Sequence, residues 1–117
     1  MRSKEYLQQL NVDDSVTIEI GETVSYPLNT YGTSLVGLII PSTFSGTQLS
    51  IQGALSGSGT FYTMKNSSGD NVSITINGQG YYALSPQDFT SLQFIKFVSD
   101  ATQATQDCVI QVITRAI

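Results

Sequence analysis

The residue types that carry most enzymatic and metal chemistry are scarce in this chain of 117 residues, which has no histidine and a single cysteine, Cys108. Without an imidazole, neither a Ser-His nor a Cys-His nucleophilic pair can form. Cys108 opens the apolar run Cys108-Val109-Ile110, so it reads as a small buried hydrophobe rather than a reactive thiol. One cysteine among scattered carboxylates does not supply the tetrahedral nitrogen and sulfur ligands of zinc. A carboxylate pair could run glycoside hydrolysis, and the candidates are Asp13, Asp14, Glu19, Glu22, Asp70, Asp88, Asp100 and Asp107. Asp70, Asp100 and Asp107 fall in turn-like contexts, Glu19 lies on a polar strand face, and Asp88 reads as a helix-capping group. The expectation is a protein that is not an enzyme and carries no cofactor and no metal.

Two further kinds of site come from oxygen-rich and aromatic stretches. Asn66-Ser67-Ser68-Gly69-Asp70-Asn71 offers oxygens to calcium but lacks the spaced acidic residues and distal glutamate of a dedicated loop, so an Asx and glycine turn is expected. The pairs Phe61-Tyr62 and Tyr81-Tyr82 each send one ring inward and one outward if they lie in strands. Tyr62 together with Tyr82 or Tyr81 could then form a stacking platform for a glycan, with cross-strand packing as the alternative.

The elements that would position these residues are strands. Leu49, Ile51, Gly53 and Leu55 alternate with Gln48, Ser50, Gln52 and Ala54, and Val72, Ile74 and Ile76 alternate with Ser73, Thr75 and Asn77. Each is a strand with one apolar face and one polar but uncharged face. Val16, Ile18 and Ile20 alternate in the same way, as do Val24, Tyr26 and Leu28, while Leu35 to Ile40 is an apolar run ended by Pro41 that fits a strand covered on both sides. Shorter strands are expected around Phe61 to Met64 and Tyr81 to Leu84. In Phe94 to Val98, Ile95 and Phe97 share one face while Phe94 and Val98 flank Lys96 on the other; in the last strand Cys108, Ile110 and Val112 oppose Val109, Ile113 and Ile117. Apolar residues on both faces of these two strands mean either a second covering sheet or a subunit contact. Ser85-Pro86-Gln87-Asp88-Phe89 has the cap and the N1 proline of a single helical turn. The fold class is therefore all-β: one antiparallel β-sandwich or jelly roll of eight or nine strands, with a one-turn helix near residues 85–89. Residues 1–14 are set apart as an N-terminal arm, with Tyr6, Leu7 and Leu10 at helical spacing, ahead of a domain spanning 15–117.

Composition bears on partners. Charged residues are 12% of the chain, about half of the roughly 25% of an ordinary soluble domain, and the hydrophobic share of 40% is ordinary. Polarity has moved from charged to neutral groups, which suits surfaces that pack against other protein. The net charge is −4, and Arg2, Lys4, Lys65, Lys96 and Arg115 are scattered, so no direct contact with nucleic acid is expected. No stretch approaches the ~20 apolar residues of a membrane span, the N-terminus lacks the apolar core of a signal peptide, and the sequons at Asn66 and Asn71 are read as chance.

The ordered set Val16-Thr17-Ile18 with Gly21 and Leu28; Gly32, Leu35, Gly37 and Pro41; Gly46-Thr47-Gln48-Leu49-Ser50-Ile51-Gln52; Thr60-Phe61-Tyr62; Gly69 with Val72-Ser73-Ile74-Thr75-Ile76; Tyr81-Tyr82-Ala83-Leu84 with Pro86 and Phe89; and Phe94-Ile95-Lys96-Phe97 resembles a family of small tailed-phage virion accessory proteins. The likeness spans about residues 16 to 117. Where that family tends to place an acidic-glycine turn before Thr-Phe, this chain has Ser58-Gly59. The resemblance implies a capsid decoration or cement protein: a β-sandwich made in the host cytoplasm, located on the capsid exterior, acting as a homotrimer or other homo-oligomer, and bound to the major capsid protein. It transfers no catalytic residue. Candidate contact residues are Tyr6, Leu7 and Leu10 in the arm, with Phe94, Lys96 and Ile113 on the strands. A tail adaptor or baseplate component, and a carbohydrate-binding β-sandwich module using Tyr62 and Tyr82, stand as alternatives.

Overall fold

The computed structural model describes residues 11–85, 89 and 93–115. It contains nine strands: β1 (Asn11–Ile18), β2 (Leu28–Asn29), β3 (Ser34–Ile40), β4 (Gln48–Ala54), β5 (Tyr62–Thr63), β6 (Ser73–Thr75), β7 (Gly80–Ala83), β8 (Phe94–Ser99) and β9 (Cys108–Arg115). One sheet runs β1-β9-β3-β7, the other β2-β8-β4-β5 with β6 also on β4, and every strand pair is antiparallel. Consecutive strands pass from one sheet to the other for most of the chain, which is the wiring of a jelly roll. The all-β sandwich expected from the alternation is the fold observed.

Period-two alternation builds the core directly. Ile51 and Leu49 of β4, Ile95 and Phe97 of β8, Leu35, Leu38 and Ile40 of β3, and Cys108, Ile110 and Val112 of β9 are all 0% exposed. They face one another across the two sheets, joined by Val16 and Ile18 of β1 and by Ile74 and Ile76 around β6. The register sets the facing rows: Leu38 pairs with Val112, and Ile51 with Phe97. Where β3 carries its near-continuous apolar run, the pairing with β9 shifts between Leu35 and Gly37. This bulge lets Leu35 and Leu38 both point inward although they lie three residues apart.

Several expected boundaries move. The first strand begins at Asn11, where Asn11 pairs with Arg115 and Asp14 with Val112, so residues 11–14 belong to the sheet rather than to an arm. Asn-Val-Asp-Asp shows no alternation because β9, not local pattern, recruits it. Of the expected alternation Val24, Tyr26, Leu28, only Leu28 is buried; Val24 makes an isolated bridge to Val98, and both Val24 and Tyr26 are exposed. Leu55, at the end of the opening alternation, lies one residue past β4 and is exposed. The helical turn anticipated at 85–89 has residues 86–88 outside the described residues, as are Tyr6, Leu7, Leu10 and Ile117; among the described residues there is no helix. Phe89 is buried and its carbonyl accepts from the Leu35 amide at 3.1 Å.

Neighbours on β9 separate the core's contribution from the surface's. Ile110→Ala empties a fully buried site and should cost about 2–5 kcal/mol, whereas Val109→Ala, at a half-exposed outward position, should change stability by less than about 0.5 kcal/mol. Urea denaturation midpoints of the two variants measure the difference; equal shifts would contradict the assigned faces.

Candidate binding surfaces

The two ends of the sandwich differ in chemistry. At one end meet the loops that follow β1, β3 and β8, and this end is acidic and closely stitched. Gln103, 1% exposed, ties three loops together: its Oε1 accepts from the Ser45 amide at 2.9 Å, its Nε2 donates to the Ser45 carbonyl at 3.1 Å and the Ser99 hydroxyl at 3.2 Å, and its backbone pairs with Gly21 and Glu22. The Asp107 carboxylate accepts from the Ile20 amide at 2.9 Å. Asp100 accepts from the amide of Thr47 at 2.9 Å, from its hydroxyl at 2.8 Å and from the Gln48 amide at 3.2 Å. These Thr47 bonds, backbone first, then the Gln48 amide, hold the Asp100 carboxyl below its ordinary value. Gly46 has φ +126°, and a Cβ there would come within 2.5 Å of Asp100 Oδ1, so the clip requires glycine at that position. Glu19 bonds to Tyr26 and raises its phenol, with further repulsion from Asp107 and Glu22. These carboxylates serve as loop ties: Asp100 and Asp107 accept backbone amides.

The outer face of β4 and β8 in the second sheet carries a single charge. Ser50, Gln52 and Ala54 of β4 lie beside Val98, Lys96 and Phe94 of β8 in register, all six half-buried. The one charge on these two strands is Lys96, whose ammonium lies 4.4 Å from the centroid of the Phe61 ring, a cation–π contact that satisfies part of the charge without an anion. Two of the candidate residues, Phe94 and Lys96, therefore share one surface. Ile113 does not join them: it lies on the outer face of the first sheet, paired with Gly37. There the Tyr81 ring lies over Gly37, where a Cβ would meet ring atoms at 2.9 Å.

The glycan platform is not brought together. Tyr82 packs against the core, and its hydroxyl accepts from the Asn77 amide at 2.7 Å and donates to the Gly78 carbonyl at 2.6 Å, which commits it to holding the β6–β7 turn. Tyr62 lies on the other sheet, exposed, beside a groove of about 560 Å³ at the end where β4 leads into β5. The alternation expected within Tyr81-Tyr82 is observed, with Tyr81 exposed and Tyr82 inward. It is not observed for Phe61-Tyr62: Phe61 precedes the two-residue β5 and its half-buried ring lies against Lys96 rather than in the core, while Tyr62 is exposed. In the 66–71 turn, Asn66 Oδ1 accepts from the amides of Ser68 and Asp70 at 2.9 and 3.0 Å, which is the Asx turn anticipated. Among the described residues no three His, Cys, Asp or Glu side chains gather as metal ligands. Burial pushes the Cys108 thiol up to about 11, opposed by a hydrogen bond with Thr43.

Sequence reasoning missed Gln103 and Asp100 as ties between distant loops, since neither carries a local signal beyond its polar context. It also missed the pairing of Lys96 with Phe61, which are 35 positions apart. No family model matches the chain, and no curated protein matches it.

The Asp100 clip gives an acid signature with a definite sign. Because its folded pKa lies below the unfolded value of about 3.9, its stabilisation is fully present above about pH 4 and is lost as pH falls through the lower folded value. Asp100→Asn should melt below the wild type at pH 7, and the gap should close as the pH is lowered toward 2. A gap unchanged down to pH 2 would show that other contacts hold the loop. Cys108 should resist a thiol reagent at pH 8 in the folded protein and react with one equivalent in denaturant; fast labelling of the native protein would contradict its buried place.

Proposed function

We propose that the protein is a non-enzymatic structural component of a tailed-phage virion that decorates or cements the outside of the capsid as a homo-oligomer, a trimer in the arrangement the resemblance implies. The observation that carries this reading is the neutral outer face of β4 and β8, where Ser50, Gln52, Ala54, Phe94 and Val98 surround a lysine already seated on an aromatic ring. Burying such a face costs less than burying charged groups, which must be paired before they can leave water. Double-sheet jelly rolls recur in viral capsid proteins. The ordered motifs quoted above add the specific likeness. The mechanism is attachment by many modest contacts: each subunit covers neutral surface on the major capsid protein, and linkage within an oligomer raises the effective concentration of the next contact.

Light scattering of the purified protein, paired with co-sedimentation on expanded empty shells, tests the proposal. It expects an oligomer that pellets with the shells and is present at hundreds of copies per particle. A monomer that stays in the supernatant would sink the reading, and a dozen copies or fewer would move the protein to the tail.

A further inference from the structure

Asparagine stands at positions 11, 29, 66, 71 and 77, and only Asn77 is followed by glycine. Asn77 and Gly78 lie in the turn between β6 and β7, and both are exposed. One side chain fastens the two flanks of this pair: the Asn77 amide donates to the Tyr82 hydroxyl at 2.7 Å, and that hydroxyl donates to the Gly78 carbonyl at 2.6 Å. The Gly78 amide, which sits between these two anchors, makes no hydrogen bond among the described residues.

The side chains of three other asparagines are engaged. Asn29 Oδ1 accepts from the Tyr31 amide at 2.8 Å, Asn66 Oδ1 from the amides of Ser68 and Asp70, and Asn71 Oδ1 from Lys65 Nζ at 2.6 Å. The Asn77 carboxamide has no such partner among the described residues. Gly78 has φ +80°, and a Cβ placed there would meet nothing within 4 Å, so neither a side chain of its own nor a packed neighbour beside its α-carbon screens its nitrogen. Threonine, serine and valine follow Asn29, Asn66 and Asn71, and each brings a side chain that glycine lacks. Covalent adjacency holds the Gly78 nitrogen near the Asn77 carboxamide, and glycine gives the backbone freedom to close on it.

We propose that Asn77 and Gly78 form a self-modification site, at which Asn77 deamidates and the β6–β7 turn loses its Tyr82 fastening. The Gly78 nitrogen gives up its proton and bonds to Asn77 Cγ; the Cγ–Nδ2 bond breaks, and ammonia leaves with that proton, closing a cyclic imide. Water then adds to one of the two imide carbonyls and opens the ring, to aspartate or to isoaspartate. Water is the sole co-reactant. In the isoaspartyl form the backbone runs through Cβ and Cγ, so the chain is longer by a methylene between the two points that the Tyr82 hydroxyl holds, and one hydroxyl no longer spans them. The change stays within the turn, because Ile76 is buried in the core and its amide donates to the Thr47 carbonyl at 2.8 Å. The inference does not rest on the virion reading.

Ageing of the full chain at mildly alkaline pH, followed by peptide mapping and mass spectrometry, tests the proposal. Conversion at Asn77 is expected to outrun that at Asn29, Asn66 and Asn71 by at least about tenfold. Amide hydrogen exchange on the isoaspartyl form, resolved by chromatography, is expected to show the residue 77 amide unprotected while the Ile110 amide in β9 keeps its protection. Asn77→Asp, which adds the charge without lengthening the backbone, should retain protection at residue 77. Conversion at Asn77 no faster than at the other three, an isoaspartyl form still protected at residue 77, or equal loss of protection in Asn77→Asp would overturn the proposal.

Discussion

The mutual burial of two inward-facing rows, one from each sheet, is the constraint on which the other features depend. Apolar positions such as Leu49 would be worth little on a single strand, since an isolated hairpin is barely stable in water; it is the shared core cluster of Ile51 and Phe97 from one sheet with Leu38 and Val112 from the other that holds the strands. No disulfide assists, because the one cysteine is itself a core side chain. The consequence is strict: register along β3, β4, β8 and β9 cannot slip by one residue without turning the whole apolar row to water. The outward rows are then placed by the same register, and their composition is free to serve another purpose.

The distribution of polarity bears on the proposed role. Glu19, Glu22, Asp100 and Asp107 gather where the loops after β1, β3 and β8 meet, and there Asp100 and Asp107 hold backbone amides. The faces of β4 and β8 are left neutral, and the opposite end bears the apolar groove. A protein that works in free solution gains from dispersed charge, which keeps molecules apart. One that works covered by neighbours gains from surfaces that leave water at little cost. The proposed role draws on the second arrangement: β4 and β8 carry a single lysine, and it lies over Phe61.

Much of the fold could be read in the residues because a half-buried strand writes its faces in plain alternation, as β4, β8 and β9 do. The expected inward sets Ile95 and Phe97, and Cys108, Ile110 and Val112, are the buried ones. The pattern was silent where pairing rather than burial makes the strand: Asn11 to Asp14 joins β1 through β9, and Val24 and Tyr26 alternate without reaching the core. The candidate surface was half legible. Phe94 and Lys96 could be placed together because they share a strand face, but the separation of Ile113 from them, and of Tyr62 from Tyr82, depends on which sheet each strand joins. That is a property of topology, and residue types along one strand do not carry it. Gln103 and Phe61 act on partners tens of residues away, beyond the range of any local pattern.

The central claim is that the neutral face of the second sheet is the surface covered on assembly. Oxidative footprinting of the protein, free and then bound to expanded shells, reads this side chain by side chain. The account predicts that Phe61, Phe94 and Val98 lose reactivity on binding while Tyr81 and Val109, on the other sheet, keep theirs. Unchanged reactivity at Phe61 and Phe94 with protection at Tyr81 and Val109 would contradict it.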